Sequence, residues 1–136
     1  IFRKYSPMGD LQEFAGQMCE SISVATGHIA AIADRDGIIA LHGVPRKELL
    51  DKPNSPELER LMEQRKNYLY KAGDSPIAPA QGEEKYHLGA AAPILSQGDL
   101  MGSVLLLLGE QDQPLEPGDQ ALARTVAGFL GKQMES

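Results

Sequence analysis

The chain has 136 residues, 42% hydrophobic and 24% charged, which at roughly 100 to 200 residues per domain makes one folded domain with its own core, and its 14 Gly and 9 Pro fall short of low-complexity disorder. Apolar runs reach no further than Val104 to Leu108, between Ser103 and Gly109, far below the ~18 residues that a membrane span requires. The net charge is −6, with nine Lys and Arg against ten Asp and Glu in residues 1–68 and four against nine in residues 69–136, and such a surface repels the phosphate backbones of nucleic acids.

The chain opens on Ile1 rather than Met and carries no signal-peptide pattern, which reads as a piece of a longer polypeptide. From Met8 to Ala25 the apolar residues Leu11, Phe14, Ala15, Met18, Ile22 and Ala25 recur every three or four positions, predicting an amphipathic helix with Gly27 as its left-handed cap. Glu13, Gln17 and Glu20 form its outer face, and Cys19 flanks the apolar stripe as a small buried thiol. His28 to Ala33 and Ile38 to Leu41 read as strands buried on both faces, joined by a hairpin turn at Asp34-Arg35-Asp36-Gly37. Gly43, Pro45, Pro53, Asn54 and Pro56 punctuate the next stretch. Ser55 caps a short helix that starts at Pro56, buries Leu58, Leu61 and Met62 and ends near Lys66. Tyr68 to Tyr70 is a short strand, and residues 73–85 form a loop long enough to suggest function. Tyr86 to Ile94 and Leu100 to Leu108 form a second hairpin around Ser96-Gln97-Gly98-Asp99. Pro117 opens a last helix with Leu122, Val126, Phe129, Leu130 and Met134 on one face. This order predicts an α+β domain, an antiparallel sheet packed against N- and C-terminal helices.

Few residues carry chemistry. His28, His42 and His87 sit at strand edges without ligand spacing, so no metal site is expected. Asp34-Arg35-Asp36-Gly37 starts like a calcium loop, but Pro45 stands where the bidentate Glu would fall. The single cysteine, Cys19, excludes an internal disulfide framework and a cysteine zinc cluster, and fits a reducing cytosol. As a nucleophile it would need a base and an electropositive setting, whereas its helix offers Glu13 and Glu20. No Gly-rich phosphate loop is present, and the pairs Glu83-Glu84 and Glu57/Glu59 read as a solvated loop and as a helix-dipole complement. No nucleophile, base and orienting group assemble, so no catalytic residue, cofactor or enzyme activity is expected.

Two patterns of small residues carry more. Gly89-Ala90-Ala91-Ala92 and Ala30-Ala31 on strands leave open two readings, a cavity beside the sheet or close approach of helices. If a cavity, the face carrying Ala90 and Ala92 and the segment from Gly43 to Ala80 enclose an apolar pocket, with His42, Tyr68 and Tyr70 as orienting polar groups. Gly128 and Gly131 lie opposite Leu122, Val126 and Phe129 on the last helix, where glycine serves no internal core. They predict a homo-oligomer contact in which Arg124 meets Glu13 or Glu20 of a partner.

Arg3-Lys4-Tyr5-Ser6-Pro7, Gly27-His28, Asp34-Arg35-Asp36, Arg46-Lys47-Glu48-Leu49-Leu50, Leu58-Glu59-Arg60 with Gln64-Arg65, and Ala127-Gly128-Phe129-Leu130 with Gln133-Met134-Glu135 run in order along nearly the whole chain. In them the sequence resembles the stage V sporulation protein T family, transcription regulators that pair an N-terminal swapped-hairpin DNA-binding domain of the AbrB type with a C-terminal GAF domain. The resemblance implies that residues 1–7 are the linker and tail of a missing DNA-binding domain, and that residues 8–136 are a GAF-like sensor domain. DNA would then be a partner only through the missing part, and the setting would be cytoplasmic. It also implies a pocket on the sheet face away from the terminal helices, roofed by the segment between the second and third strands. The cyclic-nucleotide signature of GAF domains is absent, Cys19 is not placed to carry a chromophore, and the sulfoxide-reducing branch uses several cysteines. Two expectations remain: a regulatory domain that senses a small molecule and oligomerises, or a pure oligomerisation module without ligand.

Overall fold

The computed structural model describes residues 12–109, 112 and 114–135; the proposed linker, residues 1–7, and the predicted helix start at Met8 lie outside them. Helix α1 (Gln12–Thr26) buries Ala15, Cys19 and Ile22. It ends at Gly27, whose φ of 76° lets its N–H donate to the Ser23 carbonyl at 2.8 Å, the left-handed cap that the sequence predicts. Strands β1 (Ile29–Asp34) and β2 (Ile38–His42) follow. Their turn is closed by Asp34, whose Oδ1 accepts from the N–H groups of Asp36 at 2.8 Å and Gly37 at 2.9 Å, an Asx turn rather than a cation loop.

A one-turn helix, α2 (Arg46–Leu49), lies inside the segment expected to be loop and buries Leu49. Helix α3 (Pro56–Glu63) starts as predicted, with Pro56 in its first turn and the Ser55 hydroxyl accepting from the Leu58 N–H at 3.1 Å. It stops sooner than predicted because Arg65 turns left-handed, φ 53°. Strand β3 (Tyr68–Leu69) pairs with β4 (Tyr86–Ser96), which forms a hairpin with β5 (Asp99–Gly109). Gln97 and Gly98 both take positive φ, 53° and 85°, the turn geometry that matches strand twist. Helix α4 (Pro117–Gln133) closes the chain.

The five strands form one antiparallel sheet in the order β2-β1-β5-β4-β3. It separates two apolar layers. Side chains alternate along a strand, so Ala30, Ile32, Val104, Leu106 and Leu108 face α1 and α4, while Ala31, Ala33, Leu105 and Leu107 face α2, α3 and the long connection. Every one of these side chains is fully buried, as the continuous apolar runs predict.

The core face of α4 is rotated from the one expected. Ala123, Val126, Ala127, Leu130 and Gly131 are buried, whereas Phe129 is 44% exposed. The small residues, not the large ones, mark the contact, because they let the helix approach β4 closely. Gly131 is the tightest point: a Cβ there would run into the Leu95 carbonyl oxygen. The expectation that Gly131 faces a partner is therefore corrected; it serves the internal packing of α4 on the sheet.

Candidate functional site

The face of the sheet away from α1 and α4 is covered by a roof. Leu49 from α2, Leu58 and Met62 from α3, and Ala80 pack onto Ile38, Leu41, Leu88, Ala91 and Leu105. The long connection between β3 and β4 is held to this roof by backbone bonds, the Gln81 N–H on the Pro53 carbonyl at 2.9 Å and the Ser55 N–H on the Pro79 carbonyl at 3.3 Å, and to β4 by the Leu88 N–H on the Ile77 carbonyl at 2.8 Å. Two ion pairs cross the same seam, Glu48 to Lys85 at 3.7 Å and Lys52 to Glu83 at 3.8 Å. The predicted loop thus exists, but it is anchored rather than loose.

Three polar atoms in and beside this roof are enclosed without a hydrogen-bond partner among the described residues: Glu48 Oε2, Asn54 Oδ1 and Tyr68 Oη. Enclosed polar atoms are nearly always paired, so each unpaired one asks for a reason. Asn54 is 1% exposed and already donates its amide to the Asp34 carbonyl at 2.9 Å, leaving only its oxygen open. Burial, with the charges of Asp74 and Tyr70 behind it, pushes the Tyr68 hydroxyl above its ordinary range, which keeps it a donor.

The five residues expected to share a pocket are not brought together. Ala90 and Ala92 face α1 and α4, in contact with that helical layer and not with the roof. The cause is a bulge between Leu88 and Ala90. At Gly89 it turns two successive residues to the helix side, where a Cβ on Gly89 would crowd Leu108 and Leu115 at 2.9 Å. Ala91 is the alanine beneath the roof. His42 ends β2 at one edge of the sheet and Tyr68 lies in β3 at the other, so these two cannot share one small site. His42 lines a hollow of about 810 Å³ between β2 and α1. Tyr70 meets His87 in a tilted ring contact, centres 4.7 Å apart and planes at 59°, while Tyr68 packs on the roof layer. Of the five, Tyr68 alone meets the pocket side implied by the family resemblance.

The residues expected at an oligomer contact also divide. Glu13 and Glu20 border the hollow beside β2, whereas Arg124 and Gly128 border a different one beside β4, on the opposite flank of the helix pair. Between these flanks lie two large apolar side chains: Phe129, which the sequence pattern puts on the core face and which meets Phe14 of α1 at 5.9 Å between ring centres, and Val24, 76% exposed. The alanines at 123 and 127, taken as the packing face, would have turned Phe129 outward in advance.

Cys19 is fully buried, and burial pushes its thiol up to about 12, the opposite of an activated nucleophile. Among the described residues no group of three His, Cys, Asp or Glu side chains is placed to hold a metal ion. His28 instead pairs with Asp119 at 3.7 Å. No helix among the described residues is long and apolar enough to cross a membrane.

A central antiparallel sheet with terminal helices on one face and a roof of short helices on the other is the plan of a GAF domain, and solved GAF domains superpose on it. The domain of an Acinetobacter phosphoenolpyruvate-protein phosphotransferase matches with a TM-score of 0.72 at 14% identity, over 96% of this chain and 83% of that one. The cofactor-binding GAF domain of the nutrient sensor CodY from Clostridium difficile matches at 0.55 and 14% identity, over 97% and 86%. At these identities the likeness concerns the fold alone. Sequence carries it further: residues 10–135 match the family described as stage V sporulation protein T C-terminal, transcription factor, and the chain is 34% identical over 135 residues to stage V sporulation protein T of Bacillus subtilis (strain 168), covering 99% of this chain and 75% of that protein. The chain belongs to this family of sporulation transcription factors, of which it is the C-terminal GAF domain.

Proposed function

We propose that this domain is the regulatory part of a cytoplasmic transcription regulator, and that it holds the regulator together as a homo-oligomer through the outer face of α1 and α4. The observation that carries this reading is the pair of large apolar side chains left in water on that face, Val24 at 76% and Phe129 at 44% exposure. Burying them against a second copy would gain on the order of 1.5 to 3 kcal/mol for each side chain fully covered, and a two-fold contact doubles each contribution. DNA would be bound by a separate N-terminal domain, with residues 1–7 as its connection and residues 8–136 as the regulatory unit. A Val24→Glu, Phe129→Glu double substitution should convert the oligomer to monomer in size-exclusion chromatography without unfolding it. An unchanged elution volume would contradict the reading.

A second reading, effector sensing beneath the roof, is favoured by one specific observation. Tyr68 Oη is enclosed and has no partner among the described residues, a donor such as a small polar effector would satisfy. An effector would act by binding one of two arrangements of the roof more tightly than the other. A non-catalytic role agrees with the buried, protonated Cys19. In a thermal-shift screen against small metabolites, a stabilising compound should lose its effect in Tyr68→Phe, and a response that survives that change places the effector elsewhere.

A further inference from the structure

The flank of α4 away from α1 holds a hollow of about 260 Å³ to which Arg65, Asn67, Arg124 and Gly128 contribute. Among the described residues that line it there is no carboxylate, although the chain as a whole carries −6. Arg65 stands at a left-handed position, φ 53°, which Gly or Asn adopts more readily. Its guanidinium is locked in place: Nε and Nη2 donate to the Gly98 carbonyl at 3.3 and 3.2 Å, and Nη1 donates to the Glu63 carbonyl at 3.2 Å. A guanidinium has five N–H donors in one plane, so these three bonds leave one N–H on each terminal nitrogen. Arg124 is exposed on α4. Asn67 lines the same hollow, and the helix surface at Gly128 is open, since a Cβ there would meet nothing within 4 Å.

Two arginines thus contribute to one hollow whose described lining has no carboxylate, and an oxyanion held between them would gain charge-assisted hydrogen bonds from both. The occupant is small. The volume is below the range of sites for drug-sized molecules. Neither does the edge of β4 invite a peptide strand, because β3 covers only Ala90 and Ala91 and the next exposed position is Pro93, which has no N–H to offer.

We propose that Arg65 and Arg124 form a binding site for a small oxyanion, inorganic phosphate or a short dicarboxylate, which bridges the end of α3 to the middle of α4. The site lies off the outer face of the helix pair, so its failure and the failure of self-association are separate results. The test is a titration of the intact chain with sodium phosphate and, separately, with succinate at low ionic strength, followed by the Asn67 side-chain amide and the arginine Nε resonances. Saturable shifts at these groups with either anion support the site, and which anion saturates names the source. Arg124→Gln should weaken that binding roughly tenfold or more. Arg65→Lys, which keeps the charge but loses the fixed fork, should weaken it as well. Lys132→Gln, on the outer face, should leave it unchanged. Shifts that never saturate, or saturable binding that Arg124→Gln does not alter, would overturn the proposal. So would duplex DNA that binds the chain and is lost in Arg124→Gln, which would make the arginines a nucleic-acid surface.

Discussion

Two glycines three positions apart on α4 do opposite things. Gly131 touches the backbone of Leu95, whereas a Cβ at Gly128 would meet nothing within 4 Å. Gly131→Ala should therefore lever α4 off the sheet and cost about 2 kcal/mol or more by overpacking, while Gly128→Ala should add roughly 0.5 to 1 kcal/mol of helix propensity. Urea denaturation of the two variants checks the difference in sign. The sequence shows that both glycines are misplaced in a helix and does not show which of them packs, because that depends on a carbonyl 36 residues upstream in β4. Cys19 is legible as a buried thiol, and its burial has a measurable consequence. With its thiol raised from 9.0 to about 12, the folded chain keeps a proton that the unfolded chain releases. Its contribution to stability is fully present below pH 9 and is lost as the pH rises toward 12, at up to about 1.4 kcal/mol per unit. Tyr68, also raised, acts in the same direction above its ordinary range. Cys19→Ala should flatten the alkaline fall in stability, measured by denaturation at pH 8 and pH 10.5, even though the variant is less stable at both.

The elements follow local rules closely, and their sidedness does not. Helix α3 starts where Ser55 and Pro56 place it, and Ser55→Ala should cost about 1 kcal/mol, because the hydroxyl bonded to the Leu58 N–H at 3.1 Å is buried and the N–H would be left unpaired. Chemical denaturation of that variant against the parent checks this. Both hairpins were legible from their turn residues. The one-turn α2 was hidden by the prolines and glycine around it. The facing of β4 was hidden by the bulge at Gly89: strict alternation from Leu88 would put Ala90 and Ala92 under the roof, and one extra residue puts Ala91 there instead. Strand order is likewise set by tertiary contacts, so nothing local could tell that His42 and Tyr68 stand at opposite edges of the sheet. A covered sheet face was therefore legible in the sequence, whereas of the five residues named for a pocket on it Tyr68 alone packs there.

At the scale of the molecule the two layers divide the work proposed for them. The roof layer holds enclosed polar atoms and ion pairs across a seam; the helical layer presents apolar side chains outward. The −6 charge leaves neither layer suited to phosphate backbones at physiological salt. This chain alone should show no affinity for duplex DNA by fluorescence anisotropy at that salt, and a steep salt-dependent affinity would remove the regulatory assignment. Self-association is the claim on which the rest depends, because it would set the spacing of whatever the domain is joined to. Sedimentation velocity on the unmodified chain across a wide concentration range tests it most directly: the account predicts a species of at least twice 14.7 kDa that dissociates on dilution, and a 14.7 kDa monomer persisting at the highest concentration would contradict it.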